Sequence, residues 1–270
     1  MKSLRRKRLF LLDMDGTIYL DNDLFDGTVD FLQYVRDIGG KYLFLTNNSS
    51  RSVDAYIEKM ARLGIASDKN DFLTSVDALI LYLDAHGYRD KLLYVFGTMS
   101  FQEQLAAAGF KVTATRSDKV EALVCGFDTE LTFQKLEDAC ILLGRGVDFI
   151  AANPDWVCPT WYGYVPDCGS VCEMLYRATK RRPVFIGKPQ PEMALLAMEK
   201  YGYSKEETVL IGDRIYTDIA CGIRAGIDAI LVLSGESTLD DVAQNEEKPT
   251  HIYENIRAIL NDLQQGEKES

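Results

Sequence analysis

The stretch Leu9-Phe-Leu-Leu-Asp-Met-Asp-Gly-Thr17 is an apolar run that ends in two carboxylates, Asp13 and Asp15, at a glycine turn. A buried strand of a parallel sheet delivers its last residues to the carboxyl edge, where open α/β proteins bind their ligands. Two carboxylates this close repel each other unless a cation lies between them, and Mg²⁺ takes oxygen ligands that it often shares with phosphate. The stretch therefore predicts a ligand site at the end of the first strand.

A simpler interpretation of the same residues stays open at this point. In an Asp-x-Asp-Gly turn the aspartates can cap local backbone groups while the glycine supplies a positive φ. The spacing alone does not separate such a turn from a ligand site. A calcium-binding EF-hand loop is disfavoured, because that loop needs a third acid before its glycine and a glutamate six residues after it.

The composition is that of an acidic globular protein. The chain has 270 residues, 47% of them hydrophobic, and a formal net charge of -11, which fits one large domain or two ordinary ones. The charge disfavours a general surface for nucleic acid or acidic membranes. No segment approaches the ~18 uninterrupted apolar residues of a membrane helix. We therefore expect no nucleic-acid partner and no membrane partner.

Two further features are interpreted as structural. The basic residues from Lys2 to Arg8 precede an apolar stretch that is too short for a signal peptide, and we expect them to form a solvated lead-in to the first strand. The six cysteines include no Cys-x-x-Cys pair, and the two histidines lack the spacing of zinc ligands. This pattern favours free thiols in a reducing cytoplasm.

Apolar runs alternate with helical patterns along most of the chain, which indicates parallel βαβ construction and an α/β fold. Residues 153–169 interrupt the alternation with three prolines and four aromatic residues, and a long aromatic loop of this kind is typical of a binding element. The predicted strands are 9–12, 41–46, 92–96, 122–125, 149–152, 184–188, 209–213 and 229–233. The predicted helices lie near 31–38, 52–63, 75–86, 99–108, 132–143, 191–201, 220–223 and 256–263.

Polar groups occupy the ends of four predicted strands. Each group alone has an ordinary explanation, since a single lysine is usually a surface residue and Thr-Asn is a common helix entry. If the strands lie in one parallel sheet, however, all four groups meet at one edge. The groups are Asp13 with Asp15, Thr46 with Asn47, Lys188, and Asp213 with Asp218.

These motifs resemble those of the haloacid dehalogenase-type phosphohydrolases, in their NagD-like or p-nitrophenyl phosphatase branch. The resemblance covers about residues 9–260 and implies a Rossmann-like, doubly wound parallel sheet core with an inserted α/β cap domain. The core would comprise residues 1–77 and 185–270, and the cap residues 78–184. The matching stretches are Asp13-Met-Asp-Gly-Thr-Ile-Tyr19, Thr46-Asn-Asn48, Ala152-Asn-Pro-Asp155, Ile186-Gly-Lys-Pro189 and Gly212-Asp-Arg-Ile-Tyr-Thr-Asp218.

The resemblance also implies a reaction, the Mg²⁺-dependent hydrolysis of small phosphate monoesters through an aspartyl-phosphate. Asp13 would be the nucleophile, and Asp15 would be the acid and base for the two steps. Mg²⁺ would be bound by the Asp13 carboxylate, the Asp15 main-chain oxygen and Asp213, with Asp218 behind them. The partner would be a small phosphorylated metabolite.

The phosphoryl oxygens would be bound by the Thr46 hydroxyl, the Asn47 amide and Lys188, because relatives use the matching positions in this way. Asp167 stands where relatives commonly have a glycine, which leaves the shape of the cap loop undetermined. Sugar phosphates, phosphoglycolate, nucleoside monophosphates and pyridoxal phosphate all stay open as substrates. Relatives often associate through their caps, so a homodimer is also expected.

Two other functions are compatible with a doubly wound fold that is phosphorylated on aspartate. A phosphotransferase or phosphomutase of the same fold would pass the phosphoryl group to a second substrate instead of water. A receiver-type signalling module would accept one phosphoryl group and stall. The receiver is disfavoured, because its usual domain is about half this length, has no inserted cap and lacks an acid two residues after the phosphorylated aspartate.

Overall fold

The computed structural model describes residues 4–268. Within this range the chain forms two parallel sheets with helices on their faces, which confirms the predicted α/β class. The strands are β1 (Leu9–Leu12), β2 (Tyr19–Leu20), β3 (Asp23–Leu24), β4 (Lys41–Thr46), β5 (Phe72–Thr74), β6 (Leu92–Phe96), β7 (Lys111–Thr113), β8 (Val120–Cys125), β9 (Asp148–Ala151), β10 (Val157–Thr160), β11 (Gly163–Pro166), β12 (Val184–Phe185), β13 (Thr208–Gly212), β14 (Asp228–Val232) and β15 (His251–Tyr253). The α-helices are α1 (Thr28–Asp37), α2 (Val53–Arg62), α3 (Ser75–Ala85), α4 (Met99–Ala107), α5 (Phe133–Gly144), α6 (Cys168–Thr179), α7 (Glu192–Tyr201), α8 (Ala220–Ala225), α9 (Leu239–Gln244) and α10 (Ile256–Lys268), and a π-helical turn spans Ile215–Ile219.

The larger sheet has the strand order β15-β14-β13-β1-β4-β5, and each neighbouring pair is parallel. Strand β1 is fully buried between β13 and β4. Its alternating side chains enter two apolar clusters, Leu9 and Leu11 on one face and Phe10 and Leu12 on the other, because successive side chains of a strand point to opposite faces. This burial on both faces explains why β1 is an uninterrupted apolar run.

The smaller sheet, β12-β9-β8-β6-β7, is also parallel and lies in the sequence between α3 and α7. One apolar cluster contains side chains of both sheets together with Leu79 of α3 and Met193 of α7. These two helices therefore pack between the sheets. The boundaries expected from the sequence, after residues 77 and 184, fall within α3 and within β12.

The aromatic segment 153–169 is more ordered than the predicted loop. Strands β10 and β11 pair as an antiparallel hairpin that exposes Trp161 and Tyr162. Asp167 then caps α6, with its Oδ1 accepting from the Cys168 N–H at 2.5 Å. Helix α6 was not predicted from the sequence, although an aspartate cap and apolar residues at helical spacing were present to indicate it.

The basic segment before β1 is only partly exposed to solvent, in contrast to the prediction. Lys7 is buried, because its ammonium pairs with Asp228 at 2.8 Å and donates to the Thr208 carbonyl at 2.9 Å. The prediction of a solvated segment is therefore wrong for Lys7, and Lys2 lies outside the described residues. None of the helices in the described range is long and apolar enough to span a bilayer.

Three cysteines meet in the apolar core of the smaller sheet. The Cys168 sulfur lies 3.8 Å from that of Cys125 and 4.0 Å from that of Cys172, and all three residues are buried as free thiols. Each thiol has one neighbouring thiol that raises its pKa and another that lowers it, and burial in this apolar cluster adds to the rise, so the pKa of each lies well above its usual value. The protonated thiols pack here as small apolar groups.

Candidate active site

A buried lysine lies at the centre of the predicted site. The Lys188 ammonium donates to Asp13 Oδ1 at 2.5 Å, to Asp218 Oδ1 at 2.6 Å and to the Leu45 carbonyl at 3.3 Å. Burial opposes its charge, but the two carboxylates outweigh burial and raise the pKa of Lys188 above its usual value. The lysine is therefore a fixed cation in contact with Asp13.

Lys188 reaches the site by a route that the sequence analysis did not predict. Strand β12 ends at Phe185 and pairs with β9 in the smaller sheet, so Lys188 does not follow a strand of the larger one. The Asn47 carboxamide anchors the connecting segment by accepting from the Lys188 N–H and donating to the Lys188 carbonyl, both at 2.9 Å. The expectation that all four polar groups end strands of one sheet is thus wrong for Lys188, although its side chain does meet the others.

Three aspartates converge beside this lysine. Carboxylate oxygens of Asp13, Asp213 and Asp218 all lie within 4.8 Å of one another. Asp213 Oδ2 accepts from the Glu236 N–H at 2.7 Å, whereas its buried Oδ1 has no hydrogen-bond partner within residues 4–268. Burial and the nearby Asp218 charge raise the pKa of Asp213 to about 7, against the opposing effect of Arg214. A cluster of hard oxygen donors with one buried oxygen unpaired fits a hard divalent cation.

Two glycines make room for Asp213. Gly16 has a φ of +89°, and a Cβ there would lie 2.5 Å from Asp213 Oδ2. A Cβ at Gly235 would lie 2.0 Å from the same oxygen. Any larger residue at these positions would displace the carboxylate, so the glycine after Asp15 is required both by its backbone conformation and by this close approach.

Asp15 lies in a different environment from Asp13. Its side chain is 26% exposed, with Oδ1 at 3.6 Å from the Lys59 ammonium and Oδ2 accepting from the Tyr19 hydroxyl at 3.3 Å. The Lys59 ammonium also lies 3.6 Å from the centre of the Tyr19 ring. Neither contact was predicted from the sequence: Tyr19 was noted only as the last residue of a motif, and Lys59 comes from α2 and carries no motif.

The Thr46 and Asn47 side chains differ in the hydrogen bonds that they form in the site. Thr46 Oγ1 accepts from the Asn48 N–H at 3.1 Å, which leaves the hydroxyl hydrogen available to a ligand. The Asn47 Nδ2 instead donates to Asp155 Oδ1 and to the Lys188 carbonyl, each at 2.9 Å. Since an amide nitrogen has two hydrogens, the phosphate contact predicted for Asn47 can come only from its main-chain N–H.

Comparison with known proteins identifies the family. A profile described as haloacid dehalogenase-like hydrolase matches residues 10–111, and a second, described as HAD-hydrolase-like, matches residues 185–259. An acid sugar phosphatase of Staphylococcus aureus is 31% identical over 261 residues, which cover 97% of this chain and 100% of the relative. The chain belongs to the haloacid dehalogenase-like hydrolases.

Solved structures of this hydrolase family agree with the match. A 4-nitrophenylphosphatase of Thermotoga maritima superposes with a TM-score of 0.90 at 35% identity, covering 97% of this chain and 99% of its own. A glycerol phosphate phosphatase of Mycobacterium tuberculosis, solved in complex with magnesium, gives a TM-score of 0.88 at 29% identity over 96% of this chain and 78% of its own. The chain falls in the NagD-like and p-nitrophenyl phosphatase branch and is a phosphoric monoester hydrolase.

In this hydrolase the two sheets are connected at the site by a buried ion pair. Arg214, the residue after Asp213, places its Nη1 3.1 Å from Asp155 Oδ2 and its Nε 2.7 Å from Glu236 Oε2. Asp155 precedes the hairpin of β10 and β11, and its other oxygen accepts from Asn47. Asp155 and Arg214 both lie in motifs of the sequence, but neither was predicted to have a role.

The cavity at this site lies between the two sheets of the hydrolase and is small. Its volume is about 30 Å³, which holds one or two waters. Because a phosphate ester is larger, we expect the hairpin of β10 and β11 to move when substrate enters. The cavity is lined by Asp13, Asp15, Thr46, Asn47, Asn48, Asp155, Cys158, Pro159, Asp167, Lys188, Arg214 and Thr217.

Proposed function

We propose that this hydrolase cleaves small phosphate monoesters in a Mg²⁺-dependent reaction through an aspartyl-phosphate on Asp13. The observation that carries the proposal is the contact of Asp13 with the buried Lys188 ammonium, beside the unpaired Asp213 oxygen. A carboxylate attacks an anionic phosphate only where fixed positive charge and donors offset the repulsion. The acid sugar phosphatase, 4-nitrophenylphosphatase and glycerol phosphate phosphatase among its relatives support the same substrate class.

The first step forms the bond between an Asp13 carboxylate oxygen and phosphorus and breaks the bond between phosphorus and the ester oxygen. Asp15 gives its proton to the departing alkoxide. In the second step Asp15 takes a proton from water, the water oxygen bonds to phosphorus, and the Asp13–phosphorus bond breaks. The Thr46 hydroxyl and the Asn47 main-chain N–H donate to the phosphoryl oxygens throughout. The Lys188 ammonium, whose hydrogens are directed to Asp13, Asp218 and the Leu45 carbonyl, binds them through its positive charge.

A divalent cation would be held by the Asp13 carboxylate, the Asp15 main-chain oxygen and Asp213. When bound, it would neutralise charge on the phosphoryl oxygens. Asp218 has both oxygens engaged, since Oδ1 accepts from Lys188 at 2.6 Å and Oδ2 accepts from the Arg214 N–H at 3.1 Å. This supports a role for Asp218 in positioning Lys188 behind the metal site.

We also propose the domain division expected from the sequence, with a catalytic core of residues 1–77 and 185–270 and a cap of residues 78–184. Its support is that all strands of the larger sheet lie in the first set, while the smaller sheet is formed between Leu92 and Phe185. The homodimer and the cytoplasmic location stay predictions.

Removal of divalent metal is expected to abolish activity, because the acids around Asp13 would then repel the substrate phosphate. The measurement is phosphate release from a panel of phosphorylated metabolites, ranked by kcat/KM, after EDTA treatment and again after addition of Mg²⁺. Activity should return with Mg²⁺. Full turnover in EDTA would contradict the cofactor assignment. Release of the leaving alcohol only when an alcohol acceptor is added, with the phosphoryl group recovered as a new ester and not as inorganic phosphate, would indicate a phosphotransferase.

Replacing Asp15 with asparagine is expected to lower kcat at least ~100-fold, the lower end of a general acid–base contribution. The metal affinity should persist, because the ligand proposed for Asp15 is its main-chain oxygen. Steady-state kinetics would be compared with the Mg²⁺-dependent rise in Tm of the same variant. A loss below tenfold with intact Mg²⁺ binding would mean that another group transfers the proton.

A further inference from the structure

A second buried carboxyl group borders the cavity from the side of the smaller sheet. Asp167 is 3% exposed and lines the cavity together with Cys158 and Pro159. It lies between the end of β11 and the start of α6, and its Oδ1 accepts from the Cys168 N–H at 2.5 Å. Its position is therefore fixed by two elements, as a specificity residue requires.

Asp167 differs from the other acids of the cavity in its partners. Asp13 pairs with Lys188, Asp15 with Lys59 and Asp155 with Arg214. Among residues 4–268, Asp167 forms no ion pair. A carboxylate offers about four acceptor positions, so the contacts of Asp167 with the Cys168 N–H and the Asn153 side chain leave part of this capacity unused. Burial and the nearby Asp155 raise the pKa of Asp167 well above its usual value.

The residues that line the cavity show where Asp167 lies relative to the reacting groups. Asp13, Thr46 and Lys188 form the wall on the larger-sheet side, where the phosphoryl group would be bound. Asp167, between β11 and α6, lines the same cavity from the side of the smaller sheet. The leaving alcohol of an ester held at Asp13 would therefore lie beside it. The cavity offers little unpaired positive charge to an anionic leaving group, because Arg214 already pairs with both Asp155 and Glu236.

We propose that Asp167 determines the substrate class by hydrogen bonding a hydroxyl group of the leaving alcohol. This inference rests on the proposed function and deepens it: neutral polyol and sugar phosphates are preferred over esters whose leaving group carries a carboxylate or a second phosphate. A hydroxyl group can donate to Asp167 when it is ionised and accept from it when it is protonated. When a leaving group without a hydroxyl fills the cavity, the unused part of the Asp167 carboxyl group is left without a hydrogen-bond partner. A site built for hydrogen bonding binds such an ester much more weakly.

The test compares kcat/KM for three matched esters in the presence of Mg²⁺: glycerol 3-phosphate, n-propyl phosphate and 3-phosphoglycerate. Wild type should prefer glycerol 3-phosphate over each of the others at least ~10-fold. Asp167→Ser keeps an oxygen that can cap α6 but shortens the side chain that reaches the cavity. It should lower kcat/KM for glycerol 3-phosphate at least ~10-fold and leave n-propyl phosphate within about threefold. Asp167→Asn, which removes the charge, should raise the relative rate with 3-phosphoglycerate.

Thr132→Ala is the matched control. Thr132 caps α5, a helix that packs against the same smaller sheet, and it is exposed and lies outside the cavity. It should lower Tm without changing the ratio of the three rates. An equal loss with all three esters in Asp167→Ser, or no change in their ratio, would overturn the inference and leave Asp167 as a helix cap only. Turnover of none of the three esters by wild type would also overturn the inference, whereas the proposed function would be contradicted only if the whole panel of phosphorylated metabolites were inert as well.

Discussion

Asp13→Asn is expected to abolish turnover, with a loss of at least ~10⁴-fold, because removal of a catalytic nucleophile costs up to about 10⁶-fold in kcat. The asparagine side chain is nearly isosteric but cannot attack phosphorus as an anion. Acid-quenched wild type should carry a phosphoryl group on Asp13 that mass spectrometry detects during turnover. The variant should show neither phosphate release nor the mass increase.

The control for this variant is a measurement that shows that it is folded. Lys188 also pairs with Asp218, at 2.6 Å, so replacement of Asp13 leaves the buried ammonium one carboxylate and the variant should remain folded by circular dichroism. Phosphatase activity of Asp13→Asn within about 100-fold of wild type, in protein shown free of contaminating enzyme, would remove the nucleophile assignment.

Lys188→Met is expected to cause the largest loss of stability, together with loss of activity. Lys188 is 2% exposed and contacts both Asp13 and Asp218. Removing one partner of a buried ion pair leaves uncompensated charge and costs about 3–5 kcal/mol. The free energy of unfolding would be measured by urea denaturation in metal-free buffer, because bound cation would substitute for part of the lost charge.

The pH dependence of Lys188→Met provides a second check. Burial and neighbouring acids already raise the pKa values of Asp13 and Asp213, and loss of the lysine removes an effect that lowers the pKa of Asp13. The folded variant then binds more protons than its unfolded chain, so its stability should rise as pH falls through these raised pKa values. Lys205→Met, which removes an exposed lysine, is the matched control. A loss below about 1 kcal/mol in Lys188→Met, the range of an exposed pair, would contradict the argument.

The sequence was sufficient to predict the elements on which the site is built. Strands β1 and β4 and the turn after Asp13 follow from local patterns, since an uninterrupted apolar run bounded by turn residues indicates a buried parallel strand. The predicted strand 41–46 coincides with β4. The motifs at Asp13 and Asp213 identified the family, because they carry residue types and spacings that few other folds combine.

The tertiary structure alone determined how the remaining residues reach the site. Lys188 arrives from a strand of the other sheet and is anchored by Asn47, 141 residues away in sequence. Arg214 meets Asp155 across 59 residues, and Lys59 approaches Asp15 from α2. Periodicity and spacing report which residues share a face within one element. The contacts of Lys188 and Arg214 depend instead on how the two sheets pack around α3 and α7, and the contact of Lys59 depends on the placement of α2 relative to the turn after β1. The acids of the reaction are therefore encoded locally, and the cations that balance them are positioned by packing between distant segments.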